Sequence, residues 1–152
     1  MTVPYLFESL STTPQQTIAI GALFAQQQLK RNAVVALHGA LGAGKTYFTK
    51  GIARGIGIHE EITSPTFNIV IEYDGVIPLY HIDAYRLANE ADFYNLGVEE
   101  RIYGNGITVI EWSERIHGVI PRDAFLVNIA IVDSQTRKIT VTGGPTSDYS
   151  CV

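Results

Sequence analysis

The sequence predicts an α/β fold, a mostly parallel sheet with antiparallel strands added and helices on its flanks, and three observations carry that reading. Ala33-Val34-Val35-Ala36-Leu37 is a short apolar run of buried-strand type. It leads into Gly39-Ala40-Leu41-Gly42-Ala43-Gly44-Lys45-Thr46, which satisfies G-x-x-x-x-G-K-[ST] at every fixed position, and a helix-like segment follows at once. Asp74-Gly75 lies between two further strand-like runs and builds an antiparallel pair into the sheet. Strand, glycine-rich loop and helix in that order make the predicted sheet P-loop NTPase-like.

Each element has its own signal. Thr13-Pro14-Gln15-Gln16 reads as a capping box, with Thr13 at the N-cap, Pro14 at the first helical position and Gln16 three residues after the cap. The helix it starts has Ile18, Leu23, Phe24 and Leu29 as its apolar side and ends at Lys30-Arg31-Asn32. Beyond Thr46, Phe48, Ile52 and Ile56 recur at four-residue steps, and Gly51 and Gly55 between them predict close packing against another helix. Thr63-Ser64-Pro65-Thr66-Phe67 is a polar loop interrupted by proline. Asn68 to Tyr73 and Val76 to Ile82 are the two strands of the predicted hairpin, joined by Asp74-Gly75 as a two-residue turn. Residues 88 to 104 read as a helix, and Ile107 to Ile110 as a buried strand that ends in Glu111. Phe125 to Val132 and Lys138 to Val141 complete the strands around Asp133-Ser134-Gln135-Thr136.

Bulk properties narrow the function. A chain of 152 residues is of one-domain size, and the expectation is a single domain over residues 1–152. With 46% hydrophobic and 17% charged residues and no apolar run of bilayer length, an ordinary cytoplasmic globular protein is expected, without a membrane partner. Met1 to Glu8 lacks the positive and apolar regions of a secretory signal. Cys151 is the only cysteine, which leaves no internal disulfide partner and no cysteine-built metal site. Eleven lysines and arginines against fifteen acids give a net charge of −4. A broad basic surface for nucleic acid is therefore not predicted, although a local patch of Arg31, Arg54, Arg86 and Arg101 stays open; RNA, if involved, would be held by a partner.

The glycine-rich loop points to a nucleoside triphosphate with Mg²⁺. Glycines let backbone N–H groups turn inward around phosphates without Cβ atoms blocking the approach. Gly39, Leu41, Gly42, Ala43, Gly44, Lys45 and Thr46 are the candidate nucleotide-binding set. Lys45 is suited to reach the β- and γ-phosphates, and the Thr46 hydroxyl to ligate Mg²⁺. Such a site needs a carboxylate at the C-terminal end of a strand beside the loop's own strand. Asp83, after Leu79-Tyr80-His81-Ile82, and Glu111 both qualify, and either could hold the metal directly or through water; Glu111 is preferred because it ends the more clearly buried strand. Thr66 lies in a loop of the kind that reorders around a γ-phosphate. His38 and His81 sit in apolar strands and are expected to be core histidines. Trp112 is either a core anchor or an exposed stacking surface.

In order, LHGALGAGKTYFTKGIARGIG, SPTFNIVIEY, YHIDAYRL, an NLG segment and VIEW resemble the TsaE (YjeE) family of small bacterial P-loop ATPases, over about residues 13 to 140. The resemblance implies a role in making N6-threonylcarbamoyladenosine in tRNA, with ATP hydrolysis supporting repeated cycles of a TsaB–TsaD complex, so that tRNA is met indirectly. It implies Lys45 and Thr46 as phosphate and Mg²⁺ residues, Glu111 as a magnesium-side acid, Asp83 as a further required acid, and Thr66 in a switch-like segment. Arg137 matches an arginine before the last strand that approaches the nucleotide base. Two other readings compete. A small-molecule P-loop kinase would need an arginine-bearing lid, and the arginines here are scattered. A GTP-binding switch would need an N-K-x-D motif, which the sequence lacks.

Overall fold

Strand pairing sets the architecture. The computed structural model describes residues 5–65, 69–97, 99–102 and 104–145. Its strands are β1 (Tyr5–Ser11), β2 (Val34–Gly39), β3 (Val70–Tyr73), β4 (Leu79–Asp83), β5 (Ile107–Glu111), β6 (Phe125–Ile131) and β7 (Arg137–Gly143). They form one sheet in the order β1-β7-β6-β2-β5-β4-β3. The central pairs β6–β2, β2–β5 and β5–β4 are parallel, and the flanking pairs β1–β7, β7–β6 and β4–β3 are antiparallel. The helices are α1 (Pro14–Gln28), α2 (Lys45–Gly55), α3 (Glu90–Asn95) and α4 (Glu99–Ile102), with a 3₁₀ segment over Ser113–Val119. No described helix is long and apolar enough to cross a membrane.

Alternation along the central strands gives the sheet two buried faces. Val35, Leu37, Ile107 and Val109 join the core beneath α1 and α2, which includes Phe24, Phe48 and Ile52. Val34, Ile82 and Ile110 join the opposite core with Phe93 and Ile116. Each fully buried side chain of this size contributes about 1.5–3 kcal/mol of transfer free energy.

The predicted helix starts hold. Thr13 accepts from the Gln16 N–H at 3.0 Å, while the Gln16 amide oxygen accepts from the Thr12 N–H at 2.7 Å, one residue earlier than in a simple capping box. The buried face of α1 is Thr17, Gly21, Phe24 and Ala25, so Leu23 is turned outward and is exposed rather than core. Glycine packing is as expected and tighter. A Cβ on Gly51 would lie 2.1 Å from the Ile18 carbonyl oxygen, and one on Gly55 would lie 2.5 Å from that of Ala22. The two helices thus touch backbone to backbone.

The structure adds one strand to the sequence reading and corrects two of its elements. β1 was not predicted; it is an edge strand whose register partner, β7, is more than a hundred residues away. The hairpin exists, but Asp74 to Pro78 all lie in its connection and the return begins at Leu79, because Pro78 has no N–H for the ladder while its carbonyl accepts from Ile107. Asn68 lies outside the described residues. The helix read over 88–104 is broken into α3 and α4 at Gly97, whose φ of 69° ends the first piece.

Gly51→Ala tests the helix contact. Although alanine gains up to about 1 kcal/mol in helix propensity, the clash with a backbone carbonyl should outweigh it. A net loss of about 1–3 kcal/mol is expected in denaturant unfolding.

Candidate functional site

The register of the parallel strands brings the candidate residues together. Leu37 of β2 stands opposite Glu111 of β5, and Glu111 opposite Asp83 of β4. Both acids therefore arrive at the sheet's C-terminal edge at the same level, where the β2 strand passes into the loop at Gly39. The chain then turns through Gly42 (φ 81°) and Gly44 (φ 106°), conformations that favour glycine. A Cβ on Gly39 would meet the Ile129 carbonyl oxygen at 2.9 Å, which locks the loop's entry against β6.

Helix α2 begins directly at Lys45. Its N-cap, Gly44, supplies no side-chain hydrogen bond, and no acidic residue sits in the first turn. The first N–H groups of a helix are unpaired within it and carry the positive end of its dipole. An uncapped terminus after a glycine loop is therefore suited to an anion with several oxygens, such as a phosphate chain.

Lys45 is buried, with 8% exposure. Its ammonium donates to the Gly39 carbonyl at 2.6 Å and lies 4.0 Å from the centroid of the Trp112 ring. Burial lowers its pKa from the ordinary 10.5, while Glu111, Glu114 and Asp83 act in the opposite direction. Trp112 adopts a left-handed backbone (φ 58°, ψ 37°), which turns the chain immediately after Glu111 and sets the indole over the lysine. Its ring also packs against Tyr85 at 5.0 Å. The two readings of Trp112 thus resolve into a half-buried stacking surface inside the site.

Asp83 and Glu111 are both buried. Asp83 Oδ1 accepts from the Tyr85 N–H at 2.9 Å, an Asx-type turn that orients the carboxylate. Glu111 Oε2 accepts from His81 Nε2 at 3.1 Å. His81 is a core histidine as expected, but one committed to a site acid. His38 is not: its ring is half-exposed and contacts the Ser113 hydroxyl and Glu114.

A cavity of about 230 Å³ is lined by Gly42, Gly44, Lys45, Thr46, Ser64, Asp83, Glu111 and Trp112 among others. Thr46 and the two acids offer hard oxygen donors there. Among the described residues no three His, Cys, Asp or Glu side chains cluster as a metal cage. That set fits Mg²⁺, which is held through one or two carboxylates plus substrate phosphates rather than by an all-protein cage. A larger cavity of about 510 Å³ continues on the other side of Gly42, Ala43 and Gly44, between Thr13 and Gln135. Arg137 lines it and donates to the Gly42 carbonyl at 3.3 Å, so its guanidinium ties the β6–β7 turn to the loop.

The structure thus brings Gly39, Gly42, Ala43, Gly44, Lys45, Thr46, Asp83, Glu111 and Arg137 around one loop, with Leu41 exposed at its tip. Thr66 lies outside the described residues. Sequence reasoning missed Ser64 as a lining residue, the Lys45–Trp112 contact and the His81–Glu111 pair. The Y-H-I-D and E-W spacings were visible, but the cross-strand pairing that joins them was not.

A loop of this pattern slung between a central parallel strand and a helix, with acids at neighbouring strand ends, makes this an α/β protein with a P-loop NTPase-like sheet. Residues 11–139 match the family described as Threonylcarbamoyl adenosine biosynthesis protein TsaE. The chain is 44% identical over 132 residues to the tRNA threonylcarbamoyladenosine biosynthesis protein TsaE of Treponema pallidum, covering 87% of this chain and 97% of that one. It is 42% identical over 133 residues to the Bacillus subtilis protein of the same name, covering 87% and 82%. A crystal structure of Bacillus subtilis YdiB superimposes with a TM-score of 0.81 at 36% identity, covering 99% of this chain and 93% of that one. The chain belongs to the TsaE family.

The lowered Lys45 pKa has a stability consequence. Between that lowered value and 10.5 the unfolded chain binds more protons at this residue than the folded chain, so its contribution to stability rises with pH across that window. Lys45→Met should be more stable than the parent at neutral pH. The difference should shrink as pH is raised toward 10.5, followed by urea unfolding of both chains.

Proposed function

We propose that this chain is a Mg²⁺-dependent ATPase subunit for tRNA N6-threonylcarbamoyladenosine modification, hydrolysing ATP to support turnover by TsaB and TsaD homologues. One observation carries the reading most: the uncapped start of α2 and the carboxylates of Asp83 and Glu111 line the same cavity as Lys45. Membership of the TsaE family and the names of its relatives support the biological half.

In this reading the backbone N–H groups of Gly42, Gly44, Lys45 and Thr46 receive the phosphate oxygens, while that of Ala43 stays on the Ala40 carbonyl. Lys45 leaves its contacts with the Gly39 carbonyl and the Trp112 ring to pair with the β- and γ-phosphates. Thr46 and Glu111 hold the metal side of the site, with Asp83 beside them. Mg²⁺, when bound, neutralises charge on the transferred phosphoryl group. Thr66, in the segment after Ser64, acts as the switch residue that responds to the γ-phosphate. Arg137 and the larger cavity serve the nucleoside end. Water attacks the γ-phosphorus, and ADP and phosphate leave.

The charge supply for that step is thin. Lys45 is the only cationic side chain among the described residues lining the smaller cavity. Added positive charge at the γ-phosphate, such as an arginine from another protein, accelerates P-loop hydrolysis by orders of magnitude. The isolated chain is therefore slow, and association with the TsaB–TsaD complex completes it.

ATP turnover by the purified chain, alone and with TsaB and TsaD homologues, tests this, with modified tRNA assayed in the same mixture. Partners should raise turnover, and Lys45→Ala should weaken ATP binding about 10- to 100-fold, as expected for losing charge-assisted hydrogen bonds. Equal turnover with and without partners refutes partner-completed catalysis. Full multiple-turnover modification by Lys45→Ala refutes the ATPase role.

A further inference from the structure

The proposed metal side of the site leaves one buried group without an assigned task. His81 is fully buried on β4, and its ring reaches diagonally across the sheet to Glu111 on β5. In register His81 stands opposite Val109, two residues before Glu111 on the same face of the strand. The Nε2–Oε2 distance of 3.1 Å is the only hydrogen bond made by the ring among the described residues, because Nδ1 is buried without a partner.

That one-sidedness favours a proton on Nε2. A carboxylate can only accept, so a proton on Nδ1 would leave that N–H buried without an acceptor and set the Nε2 lone pair against Glu111. With the proton on Nε2, the whole donor capacity of the imidazole is spent on one oxygen of Glu111. A carboxylate held at one oxygen by a rigid ring loses the freedom to rotate about its last torsion. In metal sites, groups that hold a ligand in this way are worth about 10- to 100-fold in metal affinity.

We infer that His81 is a positioning residue that holds the Glu111 carboxylate in register for the metal ion of the nucleotide complex. This rests on the reading of Glu111 as a magnesium-side acid. A histidine that merely filled the core would be replaceable by any side chain of similar volume without effect on the metal.

The experiment compares the affinity for ATP in Mg²⁺ with that in EDTA, for the parent chain and for His81→Leu, His81→Gln and Glu111→Gln. In His81→Leu the affinity in EDTA should stay within about twofold, while the Mg²⁺-dependent gain should fall about tenfold or more. His81→Gln, whose amide nitrogen can occupy the place of Nε2, should restore most of the gain. If the leucine chain does not fold, His81→Asn, whose amide is too short to reach Glu111, replaces it with the same expected loss. An undiminished Mg²⁺ gain in the leucine or asparagine chain overturns the inference, and so does a loss that glutamine fails to restore. Glu111→Gln separates the two levels: an unchanged Mg²⁺ gain in that variant refutes Glu111 as a metal-side acid and the inference with it. A gain lost there but kept in His81→Leu refutes only the role of His81.

Discussion

Everything at this site depends on the register of three neighbouring parallel strands. Leu37, Glu111 and Asp83 stand in one row across β2, β5 and β4. Side chains alternate strictly along a strand, so a slip of one residue in either pairing would send an acid to the opposite face, into the core that holds Phe93 and Ile116. Apolar side chains on both faces oppose such a slip. Val109 and Ile107 would have to exchange places with Ile110 and Thr108, and the two cores are filled by side chains that are almost entirely shielded from water. The hydrophobic pattern of the strands is thus what aims the carboxylates.

A second constraint fixes the loop relative to that row. Helix α2 cannot move away from the sheet because Gly51 and Gly55 seat it against the backbone of α1, and α1 is in turn fixed by Phe24 against Phe48 and Phe125. The start of α2 is therefore held by packing rather than by capping. That division of labour matters physically. A side-chain cap would stabilise the helix by about 1 kcal/mol but would occupy the N–H groups that an anion needs. Leaving the terminus uncapped is tolerable only because the rest of the helix is secured elsewhere.

Much of this was legible in the sequence, and the boundary between what was and was not follows physical range. The strand-loop-helix geometry of Gly39 to Thr46 and the cap at Thr13 depend on residues within a turn or two of each other, and both form as read. The close approach at Gly51 is made with Ile18 of α1, far earlier in the chain, but its signal, glycines at four-residue spacing on one helix, is local. The placing of Asp83 and Glu111 at strand ends was legible because the last residue of an apolar run marks a strand end, and the structure puts both there. What escaped depends on contacts between distant segments. β1 carries too weak an alternation to be seen without β7, and the extent of the hairpin loop depends on Pro78 meeting β5. His81 was correctly expected to be buried, yet its partner lies thirty residues on, across a strand pair. Nothing in local spacing says which buried polar group a histidine will meet.

The charge content of the smaller cavity argues that the site is conditional by construction. Among the described residues lining it, two buried carboxylates, Asp83 and Glu111, face a single ammonium, Lys45, and that ammonium is already engaged by a carbonyl and an indole ring. Glu114 adds a further negative influence on the lysine. A polyanion entering such a cavity meets more negative than positive side-chain charge, in surroundings less screened than water. Backbone N–H groups and the helix terminus offset part of that repulsion, but they carry partial charges only. In the proposed nucleotide complex a divalent cation would reverse the balance, because it would turn the two acids from repellent neighbours into its own counter-charges. In the proposed reaction a cationic partner group would act in the same sense at the γ-phosphate. Under the proposed function, the arrangement is therefore suited less to a self-sufficient hydrolase than to a site whose activity would be set by what is brought to it.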